Sequence, residues 1–202
     1  MQCIYSSIVI DDLYARLNEQ SHVGIACLYA DYKDQSNQTL VPILGSFLRQ
    51  FLTSAPVPIS DEVIQKLHTI KHQGRKPGTD DILALLKIRL HQLKRAFICI
   101  DALDELEAKI RQQLLSHLQD LAADNKNIYL FFTARGHIES EVQKRLKEVT
   151  EEYRVEISAS PQDIQRFVRQ QIKEDHDLNS EAMDTVLTKN IEDAIIENSK
   201  GM

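Results

Sequence analysis

Apolar residues in this chain fall into two alternating patterns. Three short unbroken runs, 23–30, 97–100 and 128–132, are bounded on both sides by polar residues. Such runs mark strands buried on both faces, as in a parallel sheet. Between them the apolar positions recur at helical spacing, one face inward. Val9, Leu13 and Leu17, with Ile10 and Tyr14 beside them, predict a first helix that follows Ser6 and Ser7. Leu40, Ile43, Leu44, Phe47, Leu48 and Phe51 predict a second, with Pro42 tolerated in its first turn. Val63, Ile64 and Leu67 place a third from Ser60. Ile82, Leu85, Leu86, Ile88 and Leu93 place a fourth, capped at Thr79 and reaching Arg95. Ile110, Leu114, Leu118 and Leu121 predict a long helix ended by 125–127, and Val142 and Leu146 a short one.

Residues 153–157 alternate as a strand open on one face would. Ser160 and Pro161 form a capped helix start, with two further helical stretches at 180–188 and 191–198 and a C-cap glycine at Gly201. Strands alternating with helices predict an α/β fold, a mostly parallel sheet flanked by helices in three layers. The expected division is an α/β core over 1–158 and the start of a helical appendage over 159–202.

Composition narrows the function classes. The 202 residues are 43% hydrophobic and 27% charged, a globular profile. A net charge of −6 excludes a general nucleic-acid binder, which needs a basic footprint. Cys3, Cys27 and Cys99 are far apart with no CxxC pair, suiting neither a disulfide framework nor a zinc site. Cys27 and Cys99 sit in apolar runs, where a free thiol packs as a small hydrophobe. No apolar run approaches the ~20 residues that span a bilayer, and no secretory leader is visible at the N-terminus. A cytoplasmic protein is expected.

Candidate chemistry sits where strands end. The run 97–100 leads into Asp101, Asp104 and Glu105, and carboxylates at the C-terminal end of a parallel strand lie in the crevice where open α/β sheets bind ligands. An Asp there can hold Mg²⁺ in a nucleotide-hydrolysing protein. The alternative is a core strand leading into an acid-rich helix start. Arg135 closes the run 128–132, where a planar cation can reach a phosphate or pair with a nearby acid. His68 and His72 share a helix face without completing a zinc motif, and 71–78 reads as a solvated basic turn.

FICIDALDEL at 97–106, TAR at 133–135 and CLYADYKDQSNQT at 27–39, together with SSIVIDDL at 6–13 and VEISASPQDIQRFV at 155–168, resemble the NACHT branch of signalling P-loop NTPases (the STAND class). The closest form is the fungal nephrocystin-3-like one. The resemblance implies a Walker B role for Asp101, holding Mg²⁺ through water. It implies that Asp104 or Glu105 orients the attacking water, and that Arg135 reads the γ-phosphate as sensor 1. It further implies an ATP- or GTP-dependent switch that oligomerises in signal transduction of the innate-immune kind.

One element of that pattern has no counterpart in these residues. The 202 residues contain no GxxxxGK[ST], and on the family's register Met1, Gln2 and Cys3 stand where Gly, Lys and Ser/Thr belong. Gln2 carries no charge for a phosphate, and Cys3 offers a soft sulfur where Mg²⁺ takes oxygen. The chain is therefore expected to be a fragment that binds nucleotide weakly or not at all. The P-loop strand is expected to be missing from the sheet centre, between the strands ending at Asp101 and Thr133, leaving a marginally stable chain prone to self-association. The competing reading is a nucleotide-independent interaction module that docks on full-length relatives. A hydrolase using Asp101 and Glu105 as acid and base lacks an accompanying nucleophile or metal cluster.

Overall fold

A computed structural model describes residues 2–17, 22–54, 57–146, 155–157, 161–178, 189–191 and 194–195. In chain order the elements are α1 (Gln2–Leu17), β1 (Val23–Tyr29), α2 (Leu40–Ser54), α3 (Asp61–His72), α4 (Thr79–His91), β2 (Arg95–Asp101), α5 (Ala108–Asp124), β3 (Ile128–Phe132), α6 (Glu139–Arg145) and α7 (Pro161–Leu178). The chain divides into two compact units, Met1–Glu151 and Glu152–Met202. The first is an α/β unit around a three-stranded parallel sheet in the order β1-β2-β3.

Strand pleating sorts the two faces of this sheet. Ala26 and Leu28 of β1, Ala96, Ile98 and Ile100 of β2, and Ile128, Leu130 and Phe132 of β3 all belong to the main core. Leu44, Phe47 and Phe51 of α2, Leu85, Leu86 and Leu90 of α4, and Leu114, Leu115 and Leu118 of α5 pack with them. Gly24 lies on this face. A Cβ there would stand 2.7 Å from Leu93 Cδ1 and 2.8 Å from Phe51 Cδ1, so α2 approaches β1 as closely as it does because no side chain intervenes. Gly24→Ala is expected to cost about 1–3 kcal/mol in urea unfolding, since the Phe51 ring is fully buried and has nowhere to yield. A loss below about 0.5 kcal/mol would show that Leu93 gives way instead.

The opposite face carries Cys27 and Tyr29 of β1, Phe97, Cys99 and Asp101 of β2, and Tyr129 and Phe131 of β3, with α1 packed over β1 and β2. Phe97 and Tyr129 stack across the strands with ring centroids 5.1 Å apart. Ser7 is hydrogen-bonded to Tyr29 and Tyr14 to Cys27, so α1 runs antiparallel to β1 and begins near the strands' C-terminal ends. Among the described side chains of α1 those buried are Ser6 and Ile10, while Val9 and Leu13 of the expected stripe are only half-buried and Leu17 lies outside the described side chains. A small Ser6 lets the helix close on the sheet, which period alone could not weigh against Val9.

β1 is an edge strand, and Gln50 of α2 masks its outer side. The Gln50 Oε1 accepts from the Cys27 N–H at 2.9 Å and its Nε2 donates to the Cys27 carbonyl at 2.9 Å, replacing a neighbouring strand at that residue.

The strands ending at Asp101 and Thr133 have closed up, with no strand between them. β2 and β3 are directly paired, Ala96 against Ile128 through Ile100 against Phe132, and the ladder continues as the Thr133 N–H donates to the Ile100 carbonyl at 3.0 Å. The 153–157 strand is corrected over its described part. Residues 155–157 have no regular structure, and Val155 and Ile157 are exposed. Alternation makes a strand only when a partner supplies the ladder, and among the described residues none pairs with them. α4 begins at Thr79 with Gly78 as its N-cap, one residue earlier than expected, and ends at His91. Tyr153, Arg154, Ser160, Gly201 and most of the two last helical stretches lie outside the described residues.

Candidate functional site at the strand ends

The register of the parallel sheet brings the strand-end residues together. Pairing Ile100 with Phe132 sets Asp101 beside Thr133. The Thr133 Oγ1 donates to Asp101 Oδ1 at 2.5 Å and accepts from the Ala102 N–H at 2.9 Å. Asp101 is 2% exposed, and this hydroxyl both satisfies its carboxylate and fixes its direction. Ala102 follows in the left-handed region, φ 54° and ψ 46°, a conformation that costs a residue with a side chain about 1–2 kcal/mol. Its Cβ is small enough to be buried there, and the bend starts the 3-10 turn Leu103–Glu105. The Leu103 N–H then bonds the Thr133 carbonyl at 2.9 Å, tying the turn back to the end of β3.

The turn sends the next two acids in different directions. Asp104 faces the β3 side, where its side chain is 3% exposed, accepts from the Arg135 N–H at 3.1 Å and lies 3.6 Å from Arg135 Nε. Glu105 faces the loop after β1, accepting from the Tyr32 N–H at 3.2 Å, while its carbonyl takes the Gln35 Nε2 at 2.9 Å. Asp101, Asp104 and Arg135 therefore border one region at the ends of β2 and β3, with Glu105 on the far side of the turn. The Arg135 side chain is 68% exposed, so its ion pair with Asp104 is weak and leaves the guanidinium available to an anion.

Arg111 supports the turn from beneath, a role sequence reasoning missed. Its guanidinium donates to the Leu106 carbonyl at 3.0 Å and the Asp104 carbonyl at 3.4 Å, and clamps Glu141 of α6 at 2.8 and 3.2 Å. The sequence signal was slight: one Arg next to the apolar stripe of α5. Thr133 was visible only as a polar residue closing an apolar run. His68 and His72 are exposed on α3, and 73–78 is an exposed loop whose Arg75 pairs with Asp81. That pairing, with the Gly78 N–H, holds the Asp81 carboxyl well below the usual carboxylate range.

The donor set at the strand ends is hard oxygen: the Asp101 and Asp104 carboxylates and the Thr133 hydroxyl. Among the described residues no three of His, Cys, Asp and Glu converge closely enough to cage a metal ion. Hard oxygen donors of this kind are the type a hydrated Mg²⁺ takes through one or two carboxylates. Two surface grooves lie elsewhere, one lined by Asp80, Lys87, His117 and Asp120, the other by Gln112, Glu141 and Arg145.

The family model described as nephrocystin 3, N-terminal, matches residues 3–135, which takes in everything from α1 to the strand-end cluster. The chain belongs to the nephrocystin 3 N-terminal family. No curated protein matches it significantly. The nephrocystin 3 N-terminal match closes on Arg135 and leaves α6 and α7 outside it. Among the described residues no helix is long and apolar enough to cross a membrane.

Proposed function

We propose that this chain carries the Walker B and sensor-1 part of a NACHT-type, ATP- or GTP-dependent signalling switch of the P-loop class. The observation that carries the reading is Asp101, buried at the C-terminal end of the central strand and oriented by Thr133 of the neighbouring strand, with Arg135 two residues further on. Asp101 would hold hydrated Mg²⁺, and the cation would neutralise phosphate charge. Arg135 supplies a charged fork for the terminal phosphate. Asp104, on the same side as Arg135, is better placed to orient a water than Glu105, whose carboxylate is turned toward the Tyr32 backbone.

The 202 residues contain no GxxxxGK[ST] cradle, so strand-end groups alone must hold the nucleotide and affinity is low. Calorimetric titration of the chain with Mg-ATP is expected to show no micromolar site. Amide NMR signals of Ala102, Thr133 and Arg135 are expected to shift at millimolar Mg-ATP and to lose that response in Asp101→Ala. Shifts confined to other surfaces would sink the switch reading. A micromolar site that Asp101→Ala abolishes would overturn the weak affinity.

A second reading, a nucleotide-independent interaction module, is favoured by Asp104, whose buried carboxylate already accepts the Arg135 N–H without a ligand. Association with full-length relatives that ignores both Asp101→Ala and Arg135→Ala would decide for it, and nucleotide-dependent association against it.

A further inference from the structure

Two of the three cysteines meet on the sheet. Cys27 of β1 and Cys99 of β2 are direct partners in the parallel register, so both side chains point to the face under α1. The two thiols are close neighbours, with Tyr14 of α1 beside Cys27. Cys99 is buried, while Cys27 is partly open to solvent. Neighbouring strands stand about 4.8 Å apart, within the Cα separations of about 4.4–6.8 Å that a disulfide spans. Neither thiol takes part in the nucleotide chemistry proposed above.

We propose that Cys27 and Cys99 form an oxidisable dithiol, in which a peroxide-class oxidant converts the pair reversibly into a disulfide between β1 and β2. Cys27, the member partly open to solvent, is the one oxidised first. Cys99, its direct partner in the register, stands beside it to close the bond.

The Cys27 thiolate attacks one peroxide oxygen, the O–O bond breaks, and hydroxide leaves to take up a proton. Cys27 is then a sulfenic acid. The Cys99 sulfur attacks the Cys27 sulfur, the S–O bond breaks, and the Cys99 proton leaves with the hydroxyl as water. Two thiols and one peroxide give one disulfide and two waters. Closing the bond draws the two Cβ atoms nearer than strand spacing sets them, to about 3.5–4.5 Å, and a bond strained in this way is the more easily reduced.

The test is peptide mapping of the full 202-residue chain after hydrogen peroxide treatment under native conditions, with free thiols alkylated before digestion. A Cys27–Cys99 linked peptide that a dithiol reductant abolishes is the expected product, in the wild type and in Cys3→Ser. In Cys99→Ser the sulfenic acid should persist at Cys27 and react with dimedone. Linkage should form at least about tenfold more slowly in the urea-unfolded chain, where a long loop separates the thiols. Free Cys27 and Cys99 after Cys3 has been oxidised would overturn the proposal, as would linkage to Cys3 alone or equal rates in the native and unfolded chains. The wild-type map decides the matter even where a variant fails to fold.

Discussion

Arg89→Met is expected to destabilise the chain by about 3–5 kcal/mol, the largest effect among surface-remote substitutions. Arg89 is 0% exposed at the end of α4. Its guanidinium donates to the Phe51 carbonyl at 3.0 Å, the Val57 carbonyl at 2.9 Å, the Pro58 carbonyl at 3.1 Å and Gln92 Oε1 at 3.0 Å. One side chain thus satisfies an end-of-helix carbonyl of α2 and stitches the 57–58 segment to α4. Burial disfavours its charge and draws its pKa down, yet a group that starts near 12.5 stays protonated at neutral pH. Methionine fills much of the volume but donates nothing, so the carbonyls are left unsatisfied at about 1–3 kcal/mol each, less what water recovers. Urea unfolding followed by circular dichroism measures the loss. A value under about 1 kcal/mol would mean that water reaches all of these carbonyls.

The second large effect is expected at Arg111. Arg111→Met should cost about 2–4 kcal/mol, somewhat less than breaking a fully buried pair, because the two side chains are 10% and 22% exposed. The loss has two parts: the bidentate contact with Glu141, and the carbonyls of Leu106 and Asp104 beneath the candidate site. A double-mutant cycle with Glu141→Gln separates them, with a coupling energy of about 1–2 kcal/mol expected. Zero coupling would assign the whole effect to the carbonyls. Since Arg111 underlies the turn that aims Asp104, the response of Arg135 to Mg-ATP should weaken in Arg111→Met even where the fold survives.

The legible and illegible parts of this chain differ in kind. The three apolar runs became β1, β2 and β3, but burial on both faces holds best for β2; β3 is half-buried with Tyr129 exposed, because it closes the described sheet on one side. Pro161 at the first position of α7, and the end of α5 at 124–125, follow from local backbone chemistry. Whether β2 and β3 would close up without a strand between them or leave unpaired backbone was a matter of sheet order, which no local pattern records, and direct pairing decided it. Arg89 and Arg111 escaped notice because a buried arginine looks like any helix-surface arginine until its carbonyl partners, up to 38 residues away, are known.

The order of strands and helices, the alternation that makes an α/β unit, and acids and an arginine closing two of the runs were all written in the chain, since each depends on neighbours a few residues away. Tertiary structure alone decided that Thr133 would orient Asp101, that Asp104 would turn to Arg135 while Glu105 turned to Tyr32, and that two distant cysteines would lie side by side. Those outcomes depend on parallel register and on one left-handed alanine, which are set by the packing of α2, α4 and α5 against the sheet rather than by any stretch of residues read in isolation.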